Sequence, residues 1–268
     1  MILLNINIKK GRSEFKQKNY KKALNYFEKI KEDDNDYEYA IIFKISCLIE
    51  LKQYGDALKL INPLIEDNPY DELLWFDKVT CHIFLKEDEK ALKALNEVER
   101  VVDSSDKRRL VYVAKFYNML GVYDKALEYC DKSLAIDENF RDALHEKSHV
   151  AIRLDDVEMI DELANKLFEI SDNDILSLTP VFLLKLFAKK YKESLIVIED
   201  CIDDENKEET LVLFKTIIYK QLCEDLNAQI LLTEEIDLSI DQALKLMFEF
   251  KESGKQDGEI QGVSYFIV

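Results

Sequence analysis

One register runs through nearly the whole of this chain and limits what it can fold into. The stretches NYKKALNYF, QYGDALKLI, EDEKALKAL and VYDKALEYC place a small residue at Ala23, Ala57, Ala91 and Ala126. The same phase continues through VEMIDELA at Ile160, YKESLIVI at Ser194 and DLNAQILL at Ala228. Successive steps are 34, 34, 35, 34, 34 and 34 residues. Chance periodicity does not survive that many steps. A period of this length is one supersecondary unit, which cannot bury its apolar face alone and must stack on its neighbours. The units at Ile160 and Ser194 are assigned from phase rather than from local pattern.

The clearest unit is Leu110 to Asn139. Leu110, Val113, Ala114 and Tyr117 recur at i, i+3, i+4 and i+7, one face of a helix. After a turn at Leu120-Gly121-Val122, Tyr123, Ala126, Leu127 and Cys130 repeat that spacing, with Asp124, Lys125, Glu128 and Asp131 turned outward. Ala114 and Ala126 are small where the two helices cross. This helix-turn-helix resembles a tetratricopeptide repeat, a 34-residue unit with a G-x2-Y…A-x3-F pattern. Ala114 stands at the pattern's Gly, Tyr117 at its Tyr and Ala126 at its Ala, and Cys130 replaces its aromatic residue. Elsewhere Gly11, Ser148 and Thr216 fill the first-helix small slot, Trp75 supplies a first-helix Trp and Pro69 closes a unit.

Composition supports an all-α chain. Among 268 residues there are 6 Gly and 3 Pro, too few turn-formers to punctuate a many-stranded β fold. Seven units and a capping helix opening at Ser239 are expected over residues 1–252, with a separate apolar tail over 253–268. That tail holds Gly254, Gly258 and Gly262 and ends Val-Ser-Tyr-Phe-Ile-Val. It is expected to dock, either on its own capping helix or on a second molecule. Pro63 predicts a kink or an early helix end near Asn62. Thr179-Pro180 reads as an N-cap and first helical residue, leaving 171–178 irregular. The first eight residues are apolar but too short to span a membrane and lack a basic leader, so a cytoplasmic protein without membrane association is expected.

Chemistry is sparse. Five cysteines, an odd number without a CxxC pair, point to buried reduced thiols rather than disulfides or zinc. Asp142, His145 and His149 share a helix face at a spacing that suits a metal, yet no H-E-x-x-H accompanies them, so no metal or other cofactor is expected. Phosphate-binding and nucleophile-elbow motifs are missing, and carboxylates on amphipathic helices are ordinarily a solvated face, so the chain is not expected to be an enzyme. With 54 acidic against 37 basic residues, a net charge of −17 opposes nucleic acid and favours solubility.

The resemblance implies a right-handed α-solenoid whose first helices line a concave groove for extended or helical segments of partner proteins. Carried over slot by slot, the groove comprises Ile8, Arg12 and Phe15; Tyr39, Ile42, Ser46 and Ile49; Leu73, Phe76, Thr80 and Ile83. It continues through Arg108, Val111, Lys115 and Asn118, and through Asp142, His145, His149 and Ile152. Leu183, Leu186, Phe187, Leu213, Ile217 and Lys220 complete it. Relatives that grip a partner's terminal carboxylate use Lys and Asn at set slots, which here hold Ile8, Arg12, Phe43, Leu73 and Asp77. The expectation is therefore a protein or peptide scaffold with a largely apolar groove. The alternatives are a peptide-, small-ligand- or metal-responsive sensor, and self-association through the tail.

Overall fold

The computed structural model describes residues 6–171, 175–201, 215 and 218. Among the described residues there are twelve helices and no strand. They are α1 (Ile6–Lys16), α2 (Tyr20–Phe27), α3 (Tyr37–Glu50), α4 (Tyr54–Asp67), α5 (Glu72–Phe84) and α6 (Asp88–Val101). There follow α7 (Lys107–Met119), α8 (Tyr123–Ile136), α9 (Arg141–Leu154), α10 (Val157–Glu169), α11 (Ile175–Phe187) and α12 (Tyr191–Cys201). The seventh small slot at Ala228, the capping helix and the apolar tail lie outside the described residues.

Each pair closes on the register residue. Ala23, Ala57, Ala91, Ala126 and Ser194 are fully buried, and Ile160 nearly so. Serine is tolerated at the sixth slot because its hydroxyl donates to the Phe182 carbonyl at 2.8 Å, which satisfies a polar group in an apolar core. Gly11 is small for a reason of its own: an added Cβ would lie 2.6 Å from the buried ring of Phe27.

The intra-pair turns share one geometry. Lys18, Lys52, Lys86, Gly121, Asp155 and Lys189 all have φ between 54° and 72°, and their numbers step by 34, 34, 35, 34 and 34. At each, the next amide bonds back across six residues, as in Asn19 N–H to Glu14 C=O at 2.9 Å and Gln53 N–H to Leu48 C=O at 2.8 Å. The positive-φ amide itself bonds to a nearer carbonyl, as in Lys18 to Phe15 and Lys52 to Ile49. These are Schellman caps, which satisfy the last carbonyls of the first helix and reverse the chain. The one longer step comes from the loop between α6 and α7, in the region of Ser104 to Asp106.

Aspartates start three of the helices, α5 and α7 between pairs and α10 within one. Asp71 accepts from the amides of Leu73 and Leu74, Asp106 from Arg108 and Asp156 from Met159. Trp75 Nε1 donates to the Pro69 carbonyl at 2.9 Å, which ties the loop between α4 and α5 to the helix it feeds.

The prolines behave differently from expectation. α4 continues through Pro63 to Asp67 rather than ending near Asn62. The carbonyl left without a bond is that of Lys59, and Lys59, Asn62 and Pro63 are exposed, so water can serve it while buried Ile61 and Ile65 hold the inner face. α11 already runs from Ile175, so Pro180 lies inside the helix and not at its start. Burial of Leu178, Val181 and Phe182 on either side of the proline offsets the lost backbone bond.

The chain divides into two compact units, the first ending at Tyr129 and the second beginning at Cys130. In the first, one core gathers Ile8, Ala23, Phe27, Ile30, Ala40 and Cys47, and another Ile45, Ile61, Ile65, Leu74 and Cys81. Tyr117 on α7 donates to Glu99 on α6 at 2.8 Å. In the second unit the core centres on Leu144, Ile160, Leu167, Leu178, Phe182 and Ile198. There the Lys185 ammonium is buried with Asp161 at 2.7 Å and Asn165 and Glu193 at 2.6 Å. Burial opposes its charge, and the paired carboxylates outweigh that and raise its pKa. Among the described residues no helix is long and apolar enough to cross a membrane.

Candidate first-helix interaction face

In the first unit the first helices α1, α3, α5 and α7 present an aromatic and apolar face. Phe15, Phe43 and Tyr39 form one cluster, with ring centroids 5.6 Å apart for Phe15–Phe43 and 5.0 Å for Tyr39–Phe43. Phe76, Tyr112 and Phe116 form a second, at 6.1 Å and 5.8 Å from Phe76. Leu73 is 63 % exposed, Tyr112 55 % and Met119 50 %, large fractions for residues of this kind on a helical protein. Tyr39 and Ile42 are exposed beside them. Cations ride on two of the rings: the Arg12 guanidinium lies 5.8 Å from the Tyr39 centroid, and the Lys115 ammonium 5.8 Å from that of Tyr112.

The slots expected from sequence divide into three groups. Arg12, Phe15, Tyr39, Ile42, Phe76, Thr80, Ile83 and Lys115 are exposed or half-buried. Ile49 is half-buried and packs on the core beside Ile45 and Ala57. Ile8, Val111 and Asn118 are buried, so they support the wall and offer little to a partner. On α7 the exposed stripe is Arg108, Tyr112, Lys115 and Met119. Tyr112 and Met119 each follow by one residue a slot named from sequence, Val111 and Asn118. They went unrecognised because a period of 34 residues fixes a slot only to within the rotation that the extra residue before α7 introduces. Ser46 and Thr80 turn their hydroxyls back to the carbonyls of Ile42 and Phe76, at 3.1 Å and 2.9 Å.

Residues 14–75 match a family model described as tetratricopeptide repeat. Solved structures of that architecture match nearly the whole chain. A tetratricopeptide repeat protein from Parabacteroides merdae is 14 % identical with a TM-score of 0.59, covering 90 % of this chain and 96 % of that one. The chain has the tetratricopeptide repeat fold. The apo form of RapI is 17 % identical with a TM-score of 0.64, over 97 % of this chain and 84 % of its own. PilW, a type IV pilus biogenesis factor, is 15 % identical with a TM-score of 0.56, over 80 % and 100 % respectively. At these identities the likeness concerns the fold. No curated protein matches the chain.

Burial pushes the thiols of Cys47, Cys81 and Cys130 up to about 12, helped by neighbouring carboxylates, so none is a ready nucleophile near neutral pH. In the second unit, Asp142 is exposed and His145 and His149 are half-buried, and His149 Nδ1 lies 3.7 Å from Glu146. Among the described residues no three His, Cys, Asp or Glu side chains gather as a metal site requires. Half-buried Asp77 sits on α5 next to Phe76. Burial, with the charge of Asp71, pushes its carboxyl up to about 6.

Proposed function

We propose that this protein is a non-enzymatic scaffold whose first-helix face, from Arg12 to Met119, takes an apolar segment of a partner protein. The tetratricopeptide fold supports a protein-interaction role in general. The observation that carries the specific site is the exposure of Leu73, Tyr112 and Met119 beside two aromatic clusters. An isolated helix face with no partner is usually covered with charge, because exposed apolar area costs about 25 cal/mol per Å². Half-buried anchors such as Phe76 lose little entropy on contact, which suits them to hot-spot roles. The seven-unit solenoid over 1–252 and a cytoplasmic setting belong to the same proposal. The setting rests on reduced, buried cysteines.

A photoreactive amino acid at Leu73 or Tyr112, with one at Glu128 as a control site, tests this. The expected outcome is one partner crosslinked from both first-helix positions and not from the control, and released by Phe76→Ala with Tyr112→Ala while helicity is unchanged. Equal binding by that double variant would place the site elsewhere.

A further inference from the structure

The first and last helices of this face, α1 and α7, are basic in a chain that is acidic overall. Overall there are 54 acidic and 37 basic residues, so a cation on this protein has carboxylates in excess around it. In the first unit some cations off this face pair with a carboxylate, as Lys59 does with Asp56, Lys90 with Glu87, Arg100 with Glu97 and Lys125 with Glu99 and Glu128, and others, such as Lys29, Lys44 and Lys78, lie over aromatic rings. Arg12, Arg108 and Lys115 have no carboxylate partner among the described residues. Two of the three are held over exposed tyrosine rings instead. α7 carries four cations and no acid, and α1 four against Glu14.

Their placement is ordered. Arg12, Ser46, Thr80 and Lys115 occupy one slot in four consecutive units, stepping by 34, 34 and 35 residues. The row therefore has a cation at each end and small hydroxyl residues between. Ile42 and Phe76 line the row beside it, and Leu73 and Arg108 the next. A tyrosine face attracts a cation electrostatically and orients it without neutralising it, so the charge stays available to a ligand.

We infer that this face selects an internal, acidic segment with an apolar centre: Asp or Glu side chains meet Arg12 at one end and Arg108 and Lys115 at the other, and large apolar side chains cover Ile42, Leu73 and Phe76. The inference rests on the reading of this face as the partner site. Carboxylates fit better than phosphodiesters because the surrounding chain is strongly negative and repels a continuous polyanion, whereas a few acids spaced by apolar residues meet only the local cations. Asp77, half-buried between the rows, and Glu38, exposed beside Tyr39, are the acids such a segment must avoid.

The test uses the full chain and fluorescent twelve-residue peptides with paired Glu at both ends of a Phe-Leu-Ile-Phe centre. Matched peptides replace Glu by Gln or by Lys. The acidic peptide should bind best, with Gln weaker by about fivefold or more and Lys weaker still. Arg12→Gln with Lys115→Gln should remove the preference for Glu over Gln while leaving the circular dichroism unchanged, since both side chains reach solvent. Phe76→Ala should weaken the Glu and Gln peptides alike. Equal affinity for Glu and Gln peptides, both lost on Phe76→Ala, would overturn the acidic preference and leave the site standing. Insensitivity to Phe76→Ala would overturn both. Tighter binding of a single-stranded oligonucleotide, or of a synthetic peptide of residues 254–268, would also overturn it, in favour of nucleic acid or a second copy of this chain.

Discussion

Lys18, Lys52, Lys86 and Lys189 hold a left-handed backbone that lysine adopts at a cost of about 1–2 kcal/mol, whereas Gly121 meets the same demand freely. Lys52→Gly is therefore expected to stabilise the chain by about 0.5–1 kcal/mol, after the larger entropy of glycine in the unfolded chain is subtracted. Gly121→Ala should destabilise it by a similar amount, and denaturant melts of the two variants check both signs. Asp77 gives a pH-dependent counterpart. Its carboxyl rises from an ordinary value of 3.8 to about 6 in the folded chain, so the cost of its charge is absent below pH 3.8 and complete above pH 6. Asp77→Asn should raise the melting temperature at pH 7.5 and leave it nearly unchanged at pH 3.5. An equal gain at both values would place the strain in packing rather than charge.

At the level of the helix pair, complementarity of volume explains why the small slot is not uniformly small. Gly11 opposes the buried Phe27 ring, and Ser194 is held by the Phe182 carbonyl. Gly11→Ala should overpack α1 against α2 and cost about 1–3 kcal/mol, despite alanine's better helix propensity. Gly11→Ala with Phe27→Leu should recover part of that loss, and chemical denaturation of the single and double variants measures the coupling. Helix ends were harder to read than helix faces. Pro63 and Pro180 suggested ends that the burial of Ile61, Ile65, Val181 and Phe182 overrides.

Across the whole molecule, a net charge of −17 leaves the folded chain repelling itself. Raising sodium chloride from about 0.01 M to 0.1 M shortens the screening length from about 30 Å to about 10 Å and should raise the melting temperature. A fall over that range would mean that the surface ion pairs, such as Lys59–Asp56, outweigh the general repulsion. What the sequence determined by itself was the period and therefore the unit. Apolar spacing and the small slots from Ala23 to Ser194 are local properties of an amphipathic helix pair, and they survive in any environment that buries one face. The tertiary structure alone decided which side of each first helix is free. Val111 and Asn118 share the repeat phase of Phe76 and Ile83, yet they are buried, and Tyr112 and Met119 take the surface. That choice depends on how each helix is rotated against its neighbours, a rotation of less than one residue that no spacing of 34 records.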